Sequence, residues 1–243
     1  MAKSKTYQKR SYRRLAKESD LFVQEVVVKE TDLFIFAGKD IRLIAEEVVK
    51  KYRAQIEDYI KKRPEFMTSL EPIRQDLLAT DIIKEMIRTT ALAGVGPMAS
   101  VAGAISEFSG NELLAHTRQI IIENGGDIFI KSDKIRTVAI YAGSSPLSNK
   151  IFIKIKPEDT PIGICTSSGT VGHSLSFGKA DACVIIAKSA TLADAVATAS
   201  CNRIKEKKDI APSLEFALSI KGIKGAVVIL GKDLGSIGDI ELA

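Results

Sequence analysis

The chain has 243 residues, 45% hydrophobic and 27% charged, with no tryptophan and a net charge of +5. That balance excludes an intrinsically disordered chain, and the length allows one domain with a sizeable core. No apolar run approaches the ~20 residues that span a bilayer, and the basic stretch 1–17 is not followed by the apolar segment of a secretory signal. A cytoplasmic location without a membrane partner is therefore expected.

Three cysteines, Cys165, Cys183 and Cys201, form no Cys-x-x-Cys pair, and His116 and His173 are the two histidines. Neither a disulfide framework nor a histidine-rich metal centre is expected from these. Lys3, Lys5, Lys9, Arg10, Arg13, Arg14 and Lys17 all precede the first acidic residue, Glu18. Such a run reads either as an arm for a polyanion or as an edge strand kept soluble by its cations. No helix-turn-helix, zinc-finger or RNP-like motif supports nucleic acid as the partner. Residues 1–18 are taken as a basic arm or edge strand of one domain, 1–243.

Along the chain, 21–29 and 33–37 are predicted strands, rich in Val, Ile and Phe, which with the alternating segment 7–15 form an antiparallel meander. A helix is predicted over 41–59 from Ile41, Ile44, Val48, Tyr52 and Tyr59 at helical spacing, and a shorter one over 82–87. Pro97 suits the first position of a third helix, reaching Phe108, whose small residues admit a close neighbour and whose start offers free amides to an anion. Strands follow at 119–123, 128–131, 138–141 and 151–155, then one ending near Cys165 and one at 183–187. Helices at about 191–204 and 212–218 and a strand at 226–230 close the predicted fold. The class is α+β, mostly antiparallel sheets packed with helices, with two strand-then-helix passages that hint at two similar halves.

Three motifs carry chemistry. Gly125-Gly126-Asp127 follows a strand; it reads either as a plain hairpin turn or as a close backbone approach with Asp127 orienting a ligand hydroxyl. In Cys165-Thr166-Ser167-Ser168-Gly169, followed by His173, hydroxyls and amides can converge on an oxyanion, and His173 can serve as general acid or base. The competing reading is a polar loop with a hydrogen-bonded histidine. In Asp194-Ala195-Val196-Ala197-Thr198, one helical turn places the Asp194 carboxylate and the Thr198 hydroxyl on one face, as hard donors for Mg²⁺. The alternative there is a helix-start acid and a packing threonine.

In order and combination these motifs resemble the ApbE-like flavin (FMN) transferases. That family has an Ala-Lys-Gly-Tyr helix start, a Gly-Gly-Asp turn, a Thr-Ser-Gly strand end, a histidine segment and an Asp-Ala-x-Ala-Thr helix. Val101-Ala102-Gly103-Ala104, Gly125-Gly126-Asp127, Thr166-Ser167-Ser168-Gly169, His173 and the Asp194–Thr198 motif stand here in that order, over about residues 95–205. The resemblance implies that Asp194 and Thr198 bind Mg²⁺. It also implies that Gly103, Gly125, Gly126, Asp127, Thr166, Ser167, Ser168 and Gly169 surround a flavin nucleotide, FAD or FMN.

Departures count against flavin transfer itself. Ala102 replaces the helix-start lysine, three residues replace the long hairpin before His173, and Ser174 follows where the family has Asp-Pro. This pattern is similar to the cytoplasmic ApbE-like branch of archaea and anaerobic bacteria. The same branch resembles proteins of sulfide-dependent homocysteine formation, which implies a second reading: sulfur handling with Cys165 as persulfide carrier. A third is a non-catalytic role in a homo-oligomer.

Overall fold

The computed structural model describes residues 20–171 and 177–243. The basic arm, the expected strand 7–15 and His173 lie outside the described residues.

The first two branched runs form the hairpin β1 (Phe22–Val28) and β2 (Thr31–Ala37). Helix α1 (Arg42–Lys62) buries Ala45, Val48, Val49 and Ile56 along one stripe, the period read from the sequence. A single turn, α2 (Glu65–Thr68), precedes α3 (Asp81–Ala93), which outruns the expected 82–87. In the added turn Thr89 and Thr90 donate their hydroxyls to the carbonyls of Glu85 and Met86, at 2.8 and 2.6 Å, which leaves neither buried hydroxyl unpaired. Gly94, at φ 73°, ends it by donating its amide to Thr90 O. Pro97 opens a 3₁₀ turn that leads into α4 (Val101–Leu113).

The remaining elements are β3 (Ile120–Asn124), β4 (Asp127–Lys131), β5 (Arg136–Ala139), β6 (Phe152–Ile155), β7 (Ile162–Ser167), β8 (Ala182–Ala187), α5 (Ala190–Arg203), α6 (Ile210–Ser219), β9 (Ile223–Leu230), β10 (Asp233–Gly238) and β11 (Glu241–Leu242). Eight strands form one sheet in the order β1-β2-β3-β4-β7-β8-β9-β10, every neighbouring pair antiparallel, and β11-β6-β5 form a second, smaller sheet. The α+β class and the antiparallel sheets agree with the sequence reading. The end of the chain does not: β9 is followed by two further strands rather than closing the fold. Their glycines hid them, because Gly235 and Gly238 break the run of branched residues that signals a strand. Gly235 is small because α6 lies over it; a Cβ there would stand 2.6 Å from Ile210 Cγ2.

Alternation along the strands separates two apolar layers. Ile35, Ile122, Phe129, Cys165, Ile185 and Val228 face the helices. Their neighbours Phe36, Ile121, Ile130, Ile164, Val184 and Val227 face the small sheet, meeting Ile153 and Ile155. Helix α5 is buried over every residue from Ala190 to Ala197. It can lie so low because β7 has a glycine beneath its first turn: a Cβ on Gly163 would stand 2.6 Å from Ala190 N and 2.8 Å from Ala190 Cβ. Substitution Gly163→Ala should therefore lift α5 and destabilise the protein by about 1–3 kcal/mol, the usual range for overpacking. Urea unfolding measures this; an unchanged midpoint would show that α5 has room to shift.

Candidate functional site

Helices α4 and α5 touch through small residues. A Cβ on Gly103 would stand 2.8 Å from Asp194 Cβ and would also strike the Ala190 carbonyl, so only glycine permits the contact. The contact is fastened at both ends by carboxylates. Gly103 N donates to Asp194 Oδ2 at 2.9 Å, and the Ala102 amide supports the same carboxylate. In return Glu107 Oε2 accepts from Ser189 Oγ, Thr191 N and Thr191 Oγ1 at 2.9, 2.8 and 2.7 Å. Each helix thus supplies an acid to the amino-terminal turn of the other, where exposed amides and the helix dipole favour negative charge. Ser100, at the N-cap of α4, makes no side-chain cap and instead donates to Pro97 O at 3.0 Å. The amides expected to await an anion at this helix start are occupied by Asp194.

Asp127 completes the group. It opens β4 after the two-residue turn Gly125-Gly126, whose φ angles of 70° and 105° are the left-handed values such a hairpin needs. The plain-hairpin reading is therefore correct for the backbone. The side chain adds chemistry: Asp127 pairs across the ladder with Cys165, and its carboxylate is buried on the helix-facing side. Asp127 Oδ1 has no hydrogen-bond partner among the described residues. The turn is tied to α4 by Asn124 Nδ2, which donates to Ala102 O at 3.2 Å, and by Ser106 Oγ, which donates to Asp127 O at 3.2 Å.

Burial pushes the Asp127 carboxyl well above the usual carboxylate range, and the neighbouring Asp194 charge pushes it further, against weaker help from Cys165 and the Thr166 amide. Burial raises Asp194 from 3.8 to about 7, although the Gly103 and Ala102 amides pull it down. Two nearby buried carboxylates resist simultaneous ionisation unless a proton or a cation joins them. The Cys165 thiol is raised by burial first and then by both acids. It is fully buried and donates to Ala190 O at 3.2 Å.

The hydroxyl-rich segment is partly self-contained. Ser168 Oγ accepts from Thr170 N and Val171 N at 3.1 and 2.9 Å, a side-chain turn that uses the hydroxyl locally. Gly169 N donates to Ala180 O at 2.8 Å, and Thr170 Oγ1 donates to Asp181 Oδ1 at 3.0 Å. Thr166 and Ser167 close β7 on opposite faces; Ser167 is buried and shares the face of Cys165 and Asp127. Thr198 is half-buried, one turn beyond Asp194 on α5. Among the described residues no group of three or more His, Cys, Asp or Glu is placed to hold a metal ion. The structure therefore brings together Gly103, Asp127, Cys165 and Asp194. Glu107 and Asn124 escaped the sequence reading, because their partners lie far away along the chain.

The family model described as "AbpE bacteria" matches residues 13–235. The chain belongs to this ApbE-like family. The UPF0280 protein of Methanococcus aeolicus is 43% identical over 223 residues, covering 89% of this chain and 90% of its relative. That of Methanocaldococcus jannaschii is 41% identical over 225 residues, covering 90% and 91%. Among solved structures, the flavinyl transferase ApbE of Pseudomonas stutzeri, apo form, superposes with a TM-score of 0.60 at 12% identity, covering 89% of this chain and 93% of that one. The flavin transferase ApbE of Vibrio cholerae gives 0.57 at 10% identity, covering 89% and 96%. At these identities the structural likeness establishes the ApbE fold. No single helix among the described residues is long and apolar enough to cross a membrane.

The raised carboxyl of Asp194 has a consequence for stability. The folded chain holds a proton there between pH 3.8 and about 7 that the unfolded chain has released, so this contribution falls as pH rises through that window. Asp194→Asn removes the titration. Melting temperatures of parent and variant should therefore converge or cross in the variant's favour as pH rises from acid to neutral; parallel curves would place the Asp194 titration elsewhere.

Proposed function

We propose that this protein binds a flavin nucleotide, FAD or FMN, through Mg²⁺ held by Asp194, Thr198 and Asp127. The observation that carries the reading is the buried Asp127 Oδ1, left without a partner beside a second buried acid. A buried acid of this kind stays neutral by holding its proton or ionises only when a cation joins it. Mg²⁺ is commonly held by one or two carboxylates plus substrate phosphates and water, so a two-acid site fits a metal that arrives with its nucleotide. When bound, the ion would neutralise phosphate charge and orient the pyrophosphate.

The chain's own residues supply the rest. Gly103 leaves no side-chain bulk against Asp194. Gly103 positions Asp194, and Ser167 ends the strand that carries Cys165, with Ser168 next after it. Ala102 offers no cation to the nucleotide, which favours binding over transfer. The alternative, sulfur transfer at Cys165, has weaker support: a nucleophilic thiolate needs a lowered pKa, whereas burial and two acids raise this one.

Titration of the protein with FAD, followed by flavin fluorescence or calorimetry, tests the proposal. Micromolar or tighter binding in Mg²⁺ and marked weakening in EDTA are expected. Asp194→Ala and Asp127→Asn should each weaken binding by at least the ~10-fold that even an outer-sphere metal partner costs. Absence of binding under both conditions, or equal affinity with and without Mg²⁺, would reject the metal–nucleotide reading.

A further inference from the structure

Between α2 and α3 the chain runs as a strap without regular structure, residues 69–80, yet it is firmly attached. Tyr59 Oη donates to Asp76 Oδ2 at 3.1 Å, while Asp76 Oδ1 accepts from Leu78 N at 3.0 Å. Ile73 packs into the helix-side core, and Phe66, just before the strap, sets its ring edge-on to Tyr59 at 5.1 Å. The strap's start rests on Gly96, where a Cβ would stand 2.7 Å from the Ser69 carbonyl carbon.

A loop anchored at both ends and in the middle is expected to turn its apolar side chains inward. Here Ile73 does so, but Leu70, Leu77 and Leu78 of the strap, and Met67 of α2 just before it, are 59%, 77%, 98% and 60% exposed. Singly exposed apolar residues are ordinary, whereas four within twelve positions on a fixed backbone mark a contact surface. The same strap carries Glu71 and Arg74, both exposed, and neither has an ion pair among the described residues. Opposite unpaired charges three residues apart are self-complementary: a twofold axis through the strap sets each against its opposite in a second copy.

We propose that this strap is the surface through which two copies of the chain pair about a twofold axis. The leucines form the centre, and Glu71 of each copy meets Arg74 of the other. The inference does not depend on the flavin reading, since none of these residues belongs to the carboxylate site.

Analytical ultracentrifugation of the full chain tests it. The parent is expected to sediment as a dimer at micromolar concentration. Leu78→Glu should raise the dimer dissociation constant by more than ~10-fold, as truncating a central contact does, with an unchanged circular dichroism melt. Glu71→Arg and Arg74→Glu should each weaken the dimer, and the two together in one chain should restore it. A monomeric parent overturns the proposal, whatever else covers the leucines. So does a dimer indifferent to Leu78→Glu, or a double charge exchange no tighter than the single ones.

Discussion

Helices α4 and α5 approach until a glycine backbone on one meets an aspartate on the other, and the whole site depends on that approach. Gly103 and Gly163 remove the side chains that would hold α5 away from α4 and from β7. With α5 that low, the carboxylates of Asp194 and Glu107 reach the exposed amides of the opposite helix. Each bond satisfies donors that every helix start leaves open, and together they fix the sliding register of the two helices. Packing and capping here are one interaction.

That approach also creates an electrostatic conflict. Glu107 has three donors on one oxygen and is well satisfied. Asp194 has its amides but shares its surroundings with Asp127, one of whose oxygens is unpartnered. A core selected for stability alone would replace such a pair with apolar residues or give each acid a base. Among the described residues neither acid is paired with a lysine or arginine, which supports the proposal that a ligand supplies the positive charge. Cys165 sits against the same acids, where its proton is held more tightly than in water.

Much of the fold was legible because alternation and helical spacing are local signals. Strands β1, β2, β3, β4 and β8 and helix α1 fall within a few residues of their predicted limits, each carrying a clean apolar pattern. β10 was invisible because Gly235 and Gly238 trade side chains for close neighbours, a choice that only tertiary contact explains. At the site, the Gly-Gly-Asp and Asp-Ala-Val-Ala-Thr motifs mark Asp127 and Asp194 in the sequence, and the fold sets the two acids close together. The partners of those residues were not legible. Gly103 donates to an acid 91 positions away, and Glu107 accepts from residues 82 and 84 positions away. The hydroxyls around Ser168 read equally as a converging oxyanion site or as a polar loop, and in the structure the Ser168 hydroxyl closes its own turn. Local composition cannot distinguish these two uses of a hydroxyl.

The proposed role of the acid pair is to take up a cation carried by a nucleotide. Crystals grown with FAD and Mn²⁺ in place of Mg²⁺ test it most directly, because manganese is located by its anomalous scattering. A manganese peak is expected in coordinating contact with the Asp194 and Asp127 carboxylates, with flavin phosphates completing its shell. Bound FAD with manganese absent from both acids, or manganese settled elsewhere on the protein, would contradict it.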